Sequence, residues 1–224
     1  MNKKAVVILS GGLDSSTLSY HLASQGYDLI CVSFDYGQKH IKELQSAAFI
    51  AKELNAPHHI INLSFMHQFL QQSSLVNPDL ANPKQEYARE NMLVTVVPNR
   101  NTMMLSLAWT IACAQNAEIL AFGPHKGDNY VYADCRPDYF LAMNLSLRLG
   151  TIDSRHEDLN LSAPFLNWSK TDIIRRGAEL KVPFAKTWSC YDGLEEHCGV
   201  CGTCRQRKEA FIAANITDPT NYRE

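Results

Sequence analysis

Ala5-Val6-Val7-Ile8-Leu9-Ser10-Gly11-Gly12-Leu13-Asp14-Ser15-Ser16 sets five apolar residues directly before a glycine pair and a hydroxyl-rich helix start. A short unbroken apolar run bounded by a glycine turn reads as a strand buried on both faces. From Asp14 to Gln25 the spacing changes to that of a helix, with Leu18 and Leu22 four apart and Gly26 placed to end it. At such a junction the glycines let backbone N–H groups point into one concavity, and the helix adds its positive end. An oxyanion can therefore be held without a lysine. The string lacks the Gly-Lys-Ser/Thr of a Walker loop and the G-x-G-x-x-G of a dinucleotide fingerprint. The plainer alternative is a tight turn whose serines only cap a helix.

Working outward, Asp28 to Phe34 is the next apolar strand, and Ile41, Leu44, Ala48 and Ala51 mark one face of a helix from about Lys39 to Asn55. His58 to Ile61 supplies a third strand. Alternating strand and helix predicts an α/β fold, a Rossmann-like parallel sheet with helices on both faces. From Ser73 to Val97 the periodicity lapses into a long connection punctuated by Asn77-Pro78 and Asn82-Pro83. It resumes with a helix from Asn101 to Asn116, a strand from Glu118 to Gly123, a helix opening at Pro137 and a strand ending near Ala163. Ser169-Lys170-Thr171-Asp172 is a capping-box-like helix start with Asp in the last position.

The chain has 224 residues, enough for one domain with a substantial core and a small appendage. With 46% hydrophobic and 20% charged residues it belongs among folded globular chains. Twenty-one Lys and Arg against 23 Asp and Glu give a net charge of −2, which removes the broad attraction that non-specific nucleic-acid or membrane binding requires. No apolar run approaches the roughly 18 residues of a membrane span, and the N-terminal run continues into the glycine turn with no cleavage pattern. The expectation is a soluble, cytoplasmic protein without direct nucleic-acid or membrane binding.

Seven cysteines are a surplus for such a protein. Cys190, Cys198, Cys201 and Cys204 form C-x7-C-x2-C-x2-C, whose short spacers suit the knuckles of a tetrahedral, closed, structural zinc site. Gly199 and Gly202 follow two of them, where tight turns direct N–H groups at sulfur. An iron–sulfur cluster is the rival, although the fourth cysteine lies upstream and no Cys-Pro follows. His197 reads as a bystander, Cys31 and Cys113 as core residues; Cys135 is left open between packing and pocket wall.

Three weaker strings follow strands or open helices: Phe34-Asp35-Tyr36-Gly37-Gln38, Val97-Pro98-Asn99-Arg100-Asn101 and Ala133-Asp134-Cys135-Arg136-Pro137. Their arginines could clamp a carboxylate or phosphate through a planar fork, and loops after strands are where open α/β sheets place ligands. Each also reads as ordinary loop polarity.

Ser-Gly-Gly-x-Asp-Ser resembles the pyrophosphate loop of the ATP pyrophosphatases of the adenine-nucleotide hydrolase-like group. With the three strings above, Lys170-Thr171-Asp172-Ile173-Ile174, and Thr187-Trp188-Ser189-Cys190-Tyr191 with the later cysteines, nearly the whole chain resembles the 7-cyano-7-deazaguanine synthase family. That resemblance implies an ATP-dependent ligase converting 7-carboxy-7-deazaguanine and ammonia to the nitrile through adenylate and amide intermediates, with structural zinc, Mg²⁺ and a homodimer. It implies ATP binding by Leu9, Ser10, Gly11, Gly12, Leu13, Asp14, Ser15, Ser16, Thr17, Leu18 and Ser19. Asp14, Ser15, Lys170 and Arg136 become the catalytic candidates, and Tyr36, Gln38, Arg100, Asp134 and Arg136 the substrate-binding ones. The division implied is an ATP pyrophosphatase domain over 1–187 and a zinc-binding module over 188–224 packed on it. Ala133, Phe165 and the Gly123-Pro124-His125 loop depart from the usual family pattern. A paralogue coupling the acid to another amine, a tRNA-modifying pyrophosphatase and a non-catalytic nucleotide-binding module are the alternatives.

Overall fold

Five strands, β1 (Lys4–Ile8), β2 (Asp28–Asp35), β3 (His58–Asn62), β4 (Ile119–Ala121) and β5 (Asn160–Ser162), form one parallel sheet in the order β3-β2-β1-β4-β5. The computed structural model describes residues 3–152 and 156–223. The helices are α1 (Leu13–Ser24), α2 (Lys42–Glu53), α3 (Arg89–Met92), α4 (Arg100–Ala114), α5 (Pro137–Leu149), α6 (Lys170–Glu179) and α7 (Gly202–Ala214). The expected elements are all present, with ends shifted by at most three residues. Among the described residues no helix is long and apolar enough to cross a membrane.

Because strand side chains alternate, the sheet divides its apolar residues cleanly. Val6, Ile30, Val32 and Leu120 join the core under α4 and α5. Ala5, Val7, Leu29 and Ala121 face α1, α6 and α7, and Leu9 and Cys31 meet Ala47, Ile50 and Ala51 of α2. Helices thus cover both faces, which explains why β1 and most of β2 read as continuous apolar runs. Where α6 crosses α1, a β-carbon on Gly177 would lie 2.5 Å from Phe184 Cζ and 2.9 Å from Thr17 Oγ1, so only glycine permits the approach. The start of α6 is fixed locally: Ser169 Oγ accepts from Asp172 N at 3.2 Å while Asp172 Oδ2 accepts from Ser169 N at 3.0 Å, the capping box with Asp in the last position.

The long connection is strapped to the C-terminal segment. Asn82 Nδ2 donates to Tyr191 O and to Asp192 Oδ1, both at 2.9 Å, and Gly202 N donates to Pro83 O at 3.2 Å. Ala210, Phe211 and Ala214 of α7 belong to the same core as α1 and α6.

Arg207, which in sequence joins Arg205 and Lys208 as a small basic cluster, is instead fully buried. It pairs with Asp218 at 3.2 Å and donates to Thr187 Oγ1 at 2.8 Å and Phe184 O at 3.0 Å. Tyr222 OH also donates to Asp218, at 2.5 Å, fastening the C-terminal residues back onto the fold. Burial alone would raise the Asp218 carboxyl, but the Arg207 charge and the bonds from Tyr222, Arg207 and Thr220 hold it below its ordinary 3.8. A depressed carboxyl contributes stability above its unfolded pKa and loses it as pH falls through the folded value. Asp218→Asn strands a buried guanidinium and should cost about 3 kcal/mol at pH 7. Urea unfolding should show that deficit shrinking below about pH 4; an equal deficit at both pH values would assign the loss to shape.

Candidate active site

β1 is the point where the chain, having added β2 and β3 on one side, returns to add β4 and β5 on the other. The loops leaving β1 and β4 therefore diverge and open a crevice at their carboxyl ends, the place where open α/β sheets bind ligands. A cavity of ≈ 240 Å³ occupies this crevice, lined by Ser10 and Asp14 after β1, Tyr36 after β2, Gly123 after β4, Arg100 and Lys170.

The phosphate-loop geometry follows from two glycines. Gly11 has φ +84°, and a β-carbon there would collide with the Glu43 carbonyl oxygen and lie 2.6 Å from Ala47 N. Gly12 is the extended residue before α1. The hydroxyls are organised among themselves: Ser10 Oγ and Ser15 Oγ are 2.9 Å apart, and Ser15 Oγ accepts from Ser10 N at 3.2 Å. The N–H groups of Leu13, Asp14 and Ser15, in the first turn of α1, precede the first intrahelical bond, from Ser16 N to Gly12 O, and these three residues line the crevice. Leu9, Ser10, Gly12, Leu13, Asp14 and Ser15 line the cavity. Gly11 and the fully buried Ser16, Thr17, Leu18 and Ser19 do not line the cavity; Ser19 Oγ donates to Ser15 O at 2.9 Å.

Asp14 Oδ2 accepts from Lys170 Nζ at 2.9 Å. Burial pushes the Asp14 carboxyl up, but the Lys170 and His125 charges outweigh it and hold the group below the usual carboxylate range. Asp14 Oδ1 is buried and has no hydrogen-bond partner, an anionic oxygen that suits a hard cation such as Mg²⁺. His125, 1% exposed, places Nε2 3.9 Å from Asp14 Oδ2 and 3.5 Å from Asp128 Oδ1. Its Nδ1 lies 3.0 Å from Gly127 N and its Nε2 3.4 Å from Lys170 Nζ.

On the opposite wall Arg100 Nη1 donates to Tyr36 OH at 3.1 Å, and its guanidinium lies 5.8 Å from the centre of that ring. Tyr132 OH is 2.8 Å from Thr95 Oγ1 and 3.5 Å from Tyr191 OH. Burial raises the Tyr36 phenol to about 12 and that of Tyr191 well above its ordinary value, so these hydroxyls stay protonated. Cys135 forms pocket wall: it accepts from Asn101 Nδ2 at 3.4 Å. Burial, with Asp128 and Asp134 nearby, lifts its thiol well above the ordinary value, which argues against a thiolate nucleophile.

Three substrate candidates lie elsewhere. Gln38 is buried behind the wall, where Tyr36 N donates to Oε1 at 2.9 Å and Nε2 donates to Phe34 O at 3.0 Å. Asp134 Oδ2 accepts from Asn101 N at 3.1 Å, which ties it to the first turn of α4. Arg136 Nε donates to Asn129 O at 3.1 Å and opens on a separate outer depression with Lys126 and Tyr130. Glu43, His40 and Asp128 line the main cavity and were missed, as was His125, which stands behind Asp14 and Lys170. The only signal for His125 was its place in the loop that departs from the family pattern.

The ligand atoms of Cys190, Cys198, Cys201 and Cys204 all lie within 4.8 Å of one another. Cys198 N points at Cys190 Sγ at 3.3 Å and Cys201 N at Cys198 Sγ at 3.2 Å, the N–H to sulfur pattern of a metal knuckle. Gly199 takes φ +72° between them. Four buried sulfurs converging on one point fit a closed metal site. His197 is not among these ligands; its Nε2 accepts from Ser189 N at 3.0 Å.

Fold and site together define a parallel α/β protein with an adenine-nucleotide hydrolase-like fold, a glycine turn at its first strand-to-helix junction and a four-cysteine cluster that could hold a metal. Its backbone resembles the NMN synthetase of Francisella tularensis (TM-score 0.50, 16% identity, 96% of this chain and 79% of that one) and a 4-thiouridine synthetase solved with RNA and ATP (TM-score 0.52, 16% identity, 95% and 50%). Residues 4–215 match the model of queuosine biosynthesis protein QueC, and the chain belongs to that family of biosynthetic enzymes. Relatives from Brucella anthropi and Rhizobium rhizogenes, each described as 7-cyano-7-deazaguanine synthase, are both 46% identical over 221 residues, 99% of this chain and 94% and 92% of theirs.

Proposed function

We propose that this chain converts 7-carboxy-7-deazaguanine, ammonia and two ATP into 7-cyano-7-deazaguanine, two AMP and two pyrophosphates. The observation carrying this reading is the meeting in one cavity of an anion-binding helix start, the Asp14–Lys170 pair and the Arg100–Tyr36 wall, in a family whose relatives bear that name. The substrate carboxylate oxygen attacks the α-phosphorus and the bond to pyrophosphate breaks. Ammonia then attacks the acyl carbon, AMP leaves, and the nitrogen loses its proton to give the amide. In the second round the amide oxygen takes the adenylyl group, and AMP departs with loss of the nitrogen's protons to leave the nitrile.

Ser10, Ser15 and the α1 N–H groups hold the departing pyrophosphate, and Lys170 offsets charge that builds on the transferring phosphate. Mg²⁺, when bound, adds Lewis-acid stabilisation, with Asp14 as its protein ligand. Arg100 holds the substrate carboxylate through its fork. The four cysteines hold zinc, and 188–224 acts as a metal-held module closing the cavity beside Trp188 over the 1–187 domain. The protein works in the cytoplasm, where thiols stay reduced. Leu141, Leu145 and Leu149 form an exposed apolar stripe along α5, which supports a homodimer through that face.

The test incubates purified protein with ATP, Mg²⁺, ammonium and 7-carboxy-7-deazaguanine and follows AMP and the nitrile by mass spectrometry. Both should appear, two AMP per nitrile. AMP formed only when tRNA is present, or none at all, would overturn the reading.

A further inference from the structure

Among the described residues three carboxylates line the cavity, Asp14, Glu43 and Asp128. Two have occupations: Asp14 is paired with Lys170 beside the phosphate loop, and Asp128 accepts from Tyr87 OH at 3.1 Å and from His125 N at 3.3 Å. Glu43, in the first turn of α2, is different. Its Oε1 accepts one bond, from Gln38 Nε2 at 2.9 Å, and its Oε2 faces His40 Nε2 at 3.4 Å. A carboxylate has about four acceptor sites, so most of its capacity is unspent inside the pocket wall. Beside it His40, 4% exposed, carries a buried Nδ1 with no partner. A buried, acceptor-rich corner of this kind is incomplete until donors reach it.

We infer that Glu43 is the specificity-determining acceptor for the guanidine-like edge of a purine-type substrate, receiving the ring N–H and the exocyclic amino group. This inference rests on the substrate class proposed above and assigns the part of it that Arg100 leaves open. A 7-carboxy-7-deazaguanine presents an anion at one end and adjacent N–H donors at the other. Arg100 and Tyr36 match the first, Glu43 the second. Asp134, the other carboxylate among the substrate-binding candidates, is engaged at the start of α4. Gln38 becomes a positioning residue: its amide, fixed by Phe34 O and Tyr36 N, sets the Glu43 carboxylate in place. The ionisation behaviour agrees. Burial pushes the Glu43 carboxyl up to about 7, against the bond from Gln38 and the Arg100 charge, as for an acceptor that awaits its donors.

The test is calorimetric binding of 7-carboxy-7-deazaguanine, and of the same molecule without its 2-amino group, to the full-length wild type and to Glu43→Gln. Wild type should prefer the amino compound roughly 10- to 100-fold, the range for a hydrogen bond to a charged group. Glu43→Gln should lose most of that preference while its affinity for ATP stays within about threefold. Circular dichroism and a melting curve confirm that the near-isosteric variant folds. Retention of the preference, or a loss confined to ATP, overturns the assignment of Glu43 and leaves the proposed reaction standing. Failure of wild type to bind either purine overturns both.

Discussion

Lys170→Met should lower kcat for ATP-dependent AMP formation by about 10²- to 10³-fold, with a much smaller change in the KM for ATP, because it removes a positioned charge where the transition state gathers negative charge. The ammonium is only 13% exposed and held 2.9 Å from Asp14 Oδ2, so it is preorganised and partly desolvated, conditions in which a charge acts most strongly. Its backbone position is equally constrained, since Lys170 is the first residue of α6, directly after the Ser169 cap. Methionine preserves the stem and removes only the ammonium. A rise in ATP KM with unchanged kcat would instead make Lys170 a ground-state anchor. Asp14 would then lose its partner without catalytic effect, contrary to the role assigned to the pair.

Cys201→Ser should release the bound metal and lower stability by at least about 4 kcal/mol, since metal binding free energy in such sites is folding free energy. Cys201 is fully buried, ends the ligand knuckle and immediately precedes α7. Loss of the metal would thus loosen α7, whose Phe211 packs edge-on against Phe184 at 5.2 Å and whose Arg207 fastens Asp218. Urea unfolding with elemental analysis measures both quantities. Cys31→Ser is the control: this cysteine sits in the α2 core, so it should reduce stability while leaving metal content at wild-type level. A Cys201→Ser protein with full metal content and unchanged stability would remove the four-cysteine site from the account.

The parts of the site legible in sequence were those in which ligand groups lie within a few residues of one another. The phosphate loop is a single strand-to-helix junction, and Gly11 with Gly12 announces it. Three of the four cysteines sit within seven residues, so local turns bring them together. Lys170 was legible through the capping box that places it at a helix start. By contrast Glu43 and His125 meet the phosphate loop only after β2 and β4 pair on either side of β1, and nothing local marks either residue. Arg136 and Asp134 lie outside the main cavity for the complementary reason. Both are polar residues on a loop after a strand, and sequence does not reveal that one turns outward to Asn129 O and the other inward to Asn101 N. Arg207 shows the same limit, for a basic residue next to Arg205 and Lys208 reads as solvated surface until Asp218 folds back over it.

From sequence alone came the α/β class, the element order, the glycine turn before α1 and the convergence of the cysteines, because apolar periodicity and short-range spacing encode them directly. Tertiary structure alone decided which charged and hydroxyl groups share the cavity. Their burial and partners depend on strand order and helix packing between residues as far apart as Asp14 and Lys170, and the strength of each interaction depends on how much water that packing excludes.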